Sequence, residues 1–176
     1  MDYTPYLRTM TMTLKKMMNK ARPKQWPAKN TGPLISFLEE EFPDGIFLPE
    51  LASRTGYSVQ NLSSMFRRDN MHLHKAECIS RSLGYTLRLQ YEYLGKYPKD
   101  SEYFPSETTG NLYGLDEYCQ RMIRTYNYLA SRANSRGETV KAALQKGDMM
   151  LSTLNRIANG VGLRIVWHFE KGGGDD

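Results

Sequence analysis

The sequence predicts a mainly α-helical fold in which one unit, several short helices and then a single β-strand, occurs twice. Three observations lead there. Apolar residues recur at helical spacing in short stretches bounded by Pro and Gly. Two later stretches alternate apolar and polar residues at strand period. The whole pattern repeats at an offset of 78 residues. The 176 residues are 40% apolar and 11% aromatic, enough for a packed core, which excludes a disordered chain. No apolar run approaches the ~20 residues that span a bilayer. No apolar stretch follows the first cations, so the N-terminus does not read as a secretory signal. Cys78 and Cys119 fall in helix-like contexts, and a reduced, cytoplasmic protein is the expectation.

Residues 1–32 read as a basic N-terminal arm. Thr4-Pro5 is a suitable helix start, and Leu7, Met10, Leu14, Met17 and Met18 follow at helical spacing. Pro23, Trp26 and Pro27 then mark an extended connector. The first 30 residues hold seven cations (Arg8, Lys15, Lys16, Lys20, Arg22, Lys24, Lys29) against one anion, Asp2. The rest of the chain is nearly neutral. Such an arm attracts polyanions such as nucleic acid, or serves as a solvated tail.

Residues 33–94 form the first unit. Leu34, Ile35, Phe37 and Leu38 fit a helix stopped by Pro43-Asp44-Gly45. Leu48, Leu51 and Ala52 fit a second, ended by Gly56. Ser58 caps a third, with Val59, Leu62, Met65 and Phe66 as its buried stripe. Leu73, Ala76, Ile79 and Leu83 mark a fourth, with Gly84 as its C-terminal glycine. Leu87, Leu89, Tyr91 and Tyr93 then alternate with Arg88, Gln90 and Glu92, a strand over 86–93.

Residues 95–114, with Gly95, Pro98, Pro105, Gly110 and Gly114, read as a linker. The second unit, 115–170, repeats the first: 51–84 aligns without a gap on 129–162. Leu-Ala-Ser-Arg at 51–54 recurs at 129–132, and Met71/Met149, Leu73/Leu151, Ile79/Ile157 and Gly84/Gly162 also match. The pairs Leu62/Val140, Phe66/Leu144, Ala76/Leu154 and Leu83/Val161 stay apolar. Leu163, Ile165, Trp167 and Phe169 supply the second strand, over 162–170, and 171–176 a tail.

Leu-Ala-Ser-Arg-Thr-Gly-Tyr-Ser, a polar helix, and Leu-x5-Ile-x3-Leu-Gly together resemble the lambda-repressor/Cro class of helix-turn-helix domains. Ile157-Ala158-Asn159-Gly160-Val161-Gly162 is close to that family's fourth-helix pattern, and Ile79-Ser80-Arg81-Ser82-Leu83-Gly84 is similar. The resemblance covers 33–93 and 115–170. It implies two lambda-repressor-like bundles, each followed by a strand, whose third helices read double-stranded DNA in a transcriptional regulator or repressor. The sequence departs from the family where a Gln commonly opens the second helix. Leu48-Pro49-Glu50 and Tyr126-Asn127-Tyr128 stand there instead. Gly137 replaces Val59, which suggests looser packing at the start of the second copy's third helix.

A reading helix buries one face and shows donors and acceptors on the other. In 58–68 the outward set is Ser58, Gln60, Asn61, Ser63, Ser64, Arg67 and Arg68, with no acid among them. Gln and Asn pair bidentately with adenine, Arg with guanine. In the second copy the set is Arg136, Thr139, Lys141, Gln145 and Lys146, and Glu138 suits the helix dipole. Lys15, Lys16, Lys20, Arg22 and Lys24 of the arm are expected on phosphate.

Each apolar strand needs a partner for its backbone donors. The two strands pair antiparallel with each other, or each pairs with its equivalent in a second chain to make a four-headed homodimer. His72-x-His74 has no Cys or acid cluster at ligand spacing, so surface histidines and no metal site are expected. Gly172-Gly173-Gly174 lies at the chain end and is no phosphate cradle. No cofactor and no enzymatic chemistry are expected. The alternative to DNA is a protein-interaction adaptor, an antitoxin-like or inhibitor protein whose bundles grip a protein partner.

Overall fold

The computed structural model describes residues 33–68, 70–94, 113–121, 127, 130, 131 and 135–172. The basic arm, 1–32, and most of the linker lie outside the described residues. The elements run α1 (Pro33–Glu41), α2 (Leu48–Thr55), α3 (Val59–Arg68), α4 (Leu73–Ser82), β1 (Tyr85–Tyr93), α5 (Tyr113–Arg121), α6 (Gly137–Lys146), α7 (Leu151–Gly160) and β2 (Leu163–Lys171). The described chain is mainly α, with one two-stranded antiparallel sheet. No described helix is long and apolar enough to cross a membrane.

Local chemistry sets the helix ends. Gly56, in the left-handed region at φ 74°, closes α2 by donating its N–H to the Ala52 carbonyl. Ser58 Oγ accepts the Asn61 N–H at 3.1 Å, the N-cap bond of α3. Gly84 and Gly162 end the turns after α4 and α7 at φ 84° and 79°, a region where a side chain is strained. The core draws Leu34, Ile35 and Leu38 from α1, Leu62 and Phe66 from α3, and Leu73, Ala76 and Ile79 from α4. From the second copy come Leu115, Tyr118, Val140, Leu144, Leu151, Leu154 and Ile157. Leu87, Leu89, Tyr91, Leu163 and Ile165 add the inner face of the sheet.

Moving α3, α4 and β1 along by 78 residues superposes their bounds on those of α6, α7 and β2, residue for residue. The strand register obeys the same shift. Leu89 stands opposite Trp167, its own counterpart, and pairing runs outward from there to Tyr85↔Lys171 and Tyr93↔Leu163. Two equivalent bonds close the ends of the ladder: Leu94 N–H to Gly162 O and Gly172 N–H to Gly84 O, both 2.8 Å. A second crossing occurs where His72 bridges Met150. There Leu73 N–H meets Met149 O and Leu151 N–H meets Met71 O, both at 2.9 Å. Every one of these bonds maps onto its mate under the shift, so a local two-fold relates the two copies at both crossings.

The strands therefore pair within the chain, which is the first of the two arrangements expected from sequence. Opposite charges reinforce the outer face: Glu92 pairs with Arg164, and Glu170 with Arg88 at 2.9 Å. Phe37 of α1 stacks on Phe169 of β2, ring centroids 4.1 Å apart, tying the first helix to the second copy's strand.

Four boundary or packing expectations need correction. The strands are 85–93 and 163–171 rather than 86–93 and 162–170, and Lys171, assigned to the tail, pairs with Tyr85. Tyr113 and Gly114, assigned to the linker, begin α5. Val59, expected inside, is 38% exposed at the first residue of α3, one turn before the buried Leu62. Packing at Gly137 is not loose either. A Cβ built there lies 2.3 Å from Asn127 Oδ1, so that side chain already occupies the space.

Candidate nucleic-acid interface

α2 and α3 are joined by Gly56-Tyr57-Ser58 alone, with the left-handed glycine first. Across this short turn α2 and α3 pack directly against each other. α2 is anchored from behind: Arg54 pairs with Glu50 and donates to the Ser82 carbonyl of α4 at 3.3 Å. Lys75 of α4 lies 5.9 Å over the Tyr57 ring in the turn.

On α3, Leu62, Met65 and Phe66 are buried while Ser58, Gln60, Asn61, Arg67 and Arg68 are exposed. Ser63 and Ser64, expected outside, are half-buried on the flanks of the stripe. Arg67 Nε donates to the Ser63 carbonyl at 3.4 Å, which holds its stem against the helix. On α6, Val140 and Leu144 are buried, and Arg136, Thr139, Lys141, Gln145 and Lys146 are all exposed. Glu138 occupies the first turn of α6, where its charge complements the dipole. The 78-residue shift carries the bounds of α3 onto those of α6, so the two polar sets belong to corresponding helices of the repeat. Lys15, Lys16, Lys20, Arg22 and Lys24 lie outside the described residues.

Beside the two-fold, a cleft of about 220 Å³ runs along the inner edge of α3 and reaches Met150 of the second copy. Its polar lining is Asn61, Ser64, Arg68, Asn70, His72 and Lys75, and no carboxylate among the described residues lines it. Among the described residues, the exposed side of α3 thus continues into a cleft lined by Arg68 and Lys75 and by no carboxylate, up to His72 at the junction of the copies.

At that junction an acid meets the histidine pair. Asp148, in the loop after α6, receives His72 Nδ1 at 3.1 Å and His74 Nδ1 at 2.8 Å on the same Oδ2. Its Oδ1 accepts the His74 backbone N–H at 3.1 Å. Burial by itself raises the Asp148 carboxyl, but the His74 backbone N–H, the His74 ring bond and the charges of His74 and His72 outweigh it. Together they hold the group below the usual carboxylate range. The equivalent place in the other copy holds Asn70, which accepts the Ser152 N–H at 3.1 Å and donates to Ser152 Oγ at 2.9 Å. His72 and His74 lie at the surface as expected, but the acid that sequence spacing did not offer them arrives from the other copy. The available signal was the repeat: a two-fold that pairs the strands also brings the loops before α4 and α7 together.

No protein-family model, curated protein or solved structure matches this chain significantly.

Proposed function

We propose that this protein is a double-stranded DNA-binding transcriptional regulator carrying two helix-turn-helix-like heads in one chain. The reading rests on α3 and α6 being corresponding helices of two copies that a local two-fold relates at their crossings, each helix with its polar face exposed. Duplex DNA offers major-groove half-sites related by its own dyads, so a two-fold pair of surface helices is matched to it. The short glycine turn before α3, the absence of acids from Ser58 to Arg68 and the cleft with no carboxylate among its described lining residues support the same reading. In it, Gln60, Asn61, Arg67 and Arg68 face base edges or phosphate, with Ser58, Ser63 and Ser64 beside them. Arg136, Thr139, Lys141, Gln145 and Lys146 form the second, different half. The arm cations Lys15, Lys16, Lys20, Arg22 and Lys24 neutralise phosphate.

Fluorescence anisotropy of the full chain on mixed-sequence duplex DNA tests the reading. Binding at about 50 mM salt should weaken with a log–log slope of ~0.9 per phosphate contact. Deleting residues 1–30 should lower affinity for all sequences alike and flatten that slope. Absence of binding at low salt overturns the DNA reading and turns attention to a protein partner for the same faces.

A further inference from the structure

We propose that His72, His74 and Asp148 form a binding site for one zinc-class divalent cation that clamps the two copies together at their second crossing. The proposal is independent of the DNA reading. Three ligand-type atoms, one imidazole nitrogen from each histidine and one carboxylate oxygen, lie within 4.8 Å of one another. The two nitrogens approach Oδ2 at 3.1 and 2.8 Å. Around a tetrahedral zinc with bonds of about 2.0–2.1 Å, ligand atoms stand roughly 3.3 Å apart, so small ring rotations suffice to place an ion among them. Two imidazoles and a carboxylate suit zinc and its late first-row neighbours, not magnesium or calcium, which prefer all-oxygen shells. The imidazole side chains are 45% and 52% exposed while Asp148 is 14% exposed. An ion can therefore enter from solvent, and a water can complete its shell.

The other half of the two-fold supplies an internal comparison. There Asn70 and Ser152 do the capping work at the start of α7 with neutral groups, and Met150 stands where His72 does. Capping this crossing thus needs neither a histidine pair nor a charge. The His–His–Asp set goes beyond what the cap requires, and it converges on one point. His72 and His74 belong to the start of α4, whereas Asp148 follows the end of α6. An ion held by all three would pin the first copy's fourth helix to the second copy's α6.

The test is zinc titration of the chelator-stripped full chain, read by calorimetry and by thermal midpoint. One ion per chain is expected, with a raised midpoint. Asp148→Asn keeps an acceptor for the His74 N–H, as Asn70 does for Ser152, and His74→Gln leaves the backbone cap untouched. Both should fold as the parent does without metal and should bind zinc at least about tenfold more weakly. His168→Gln removes the remaining histidine, whose ring meets Gln90 at 2.8 Å on the sheet, and should leave zinc affinity unchanged. Circular dichroism of the variants without metal separates loss of a ligand from loss of fold. No saturable binding by the parent, or equal affinity in parent, Asp148→Asn and His74→Gln, overturns the proposal.

Discussion

Asn70 and Asp148 hold the same position in the two copies, and each caps the helix that begins in the other. The His74 N–H reaches Asp148 at 3.1 Å, and the Ser152 N–H reaches Asn70 at 3.1 Å. A helix start leaves backbone donors unsatisfied, and here the side chain that serves them is 74 or 82 residues away in sequence. The caps are therefore contacts between copies as well as helix ends.

Asn70→Ala should cost about 1 kcal/mol of unfolding free energy, the usual loss for a removed cap. Chemical denaturation measures it. An unchanged midpoint would mean that solvent serves the Ser152 N–H equally well and that the exchange of caps contributes nothing.

α3 has one buried apolar face and one exposed polar face. Leu62 is fully buried, so Leu62→Ala should lose about 2–5 kcal/mol of stability. Gln60 and Asn61 are exposed, and replacing either with Ala should leave the unfolding midpoint within about 0.5 kcal/mol of the parent. On the DNA reading, each should also lose about 1–3 kcal/mol of discrimination at one base position. Thermal melts and competition binding on substituted duplexes check the two halves separately.

Because β1 and β2 satisfy each other within one chain, no second chain is needed to complete the ladder. Sedimentation at micromolar concentration should give the single-chain mass. On the DNA reading, the preferred site should be an imperfect palindrome, because the α3 and α6 sets differ. Selection from random duplexes should return two unlike half-sites about 34 Å apart. A twofold mass, or two identical half-sites, contradicts this picture.

Cys119 is buried, and burial, with the charge of Asp116 beside it, pushes its thiol up to about 12. Only the thiolate is nucleophilic. Alkylation near about pH 8 should therefore reach half-buried Cys78 first and modify Cys119 only once the chain unfolds. Equal rates at both positions in native protein would mean that α5 opens readily.

Local order was legible in the residues themselves. Ser58, Gly56 and Gly84 punctuate the helices by chemistry that acts within a few residues, and the alternation around Leu89 and Ile165 marks the strands without help from the fold. The repeat, too, is a property of the sequence, although the common bounds of α3 with α6 and of β1 with β2 come from the structure. What sequence left open was everything that depends on which surfaces meet. Whether β1 pairs with β2 or with another chain is decided by long-range closure, and the register centred on Leu89 and Trp167 answers it. The exposure of Val59 and the Asn127 side chain against Gly137 depend on how far a neighbour reaches, which periodicity does not encode. Asp148 is the sharpest case. Read along the chain it is an acid after a glycine, and only the two-fold crossing carries it to His72 and His74. Helical and strand periods are set by nearest neighbours, whereas a ligand set built from two copies exists only once those copies have docked.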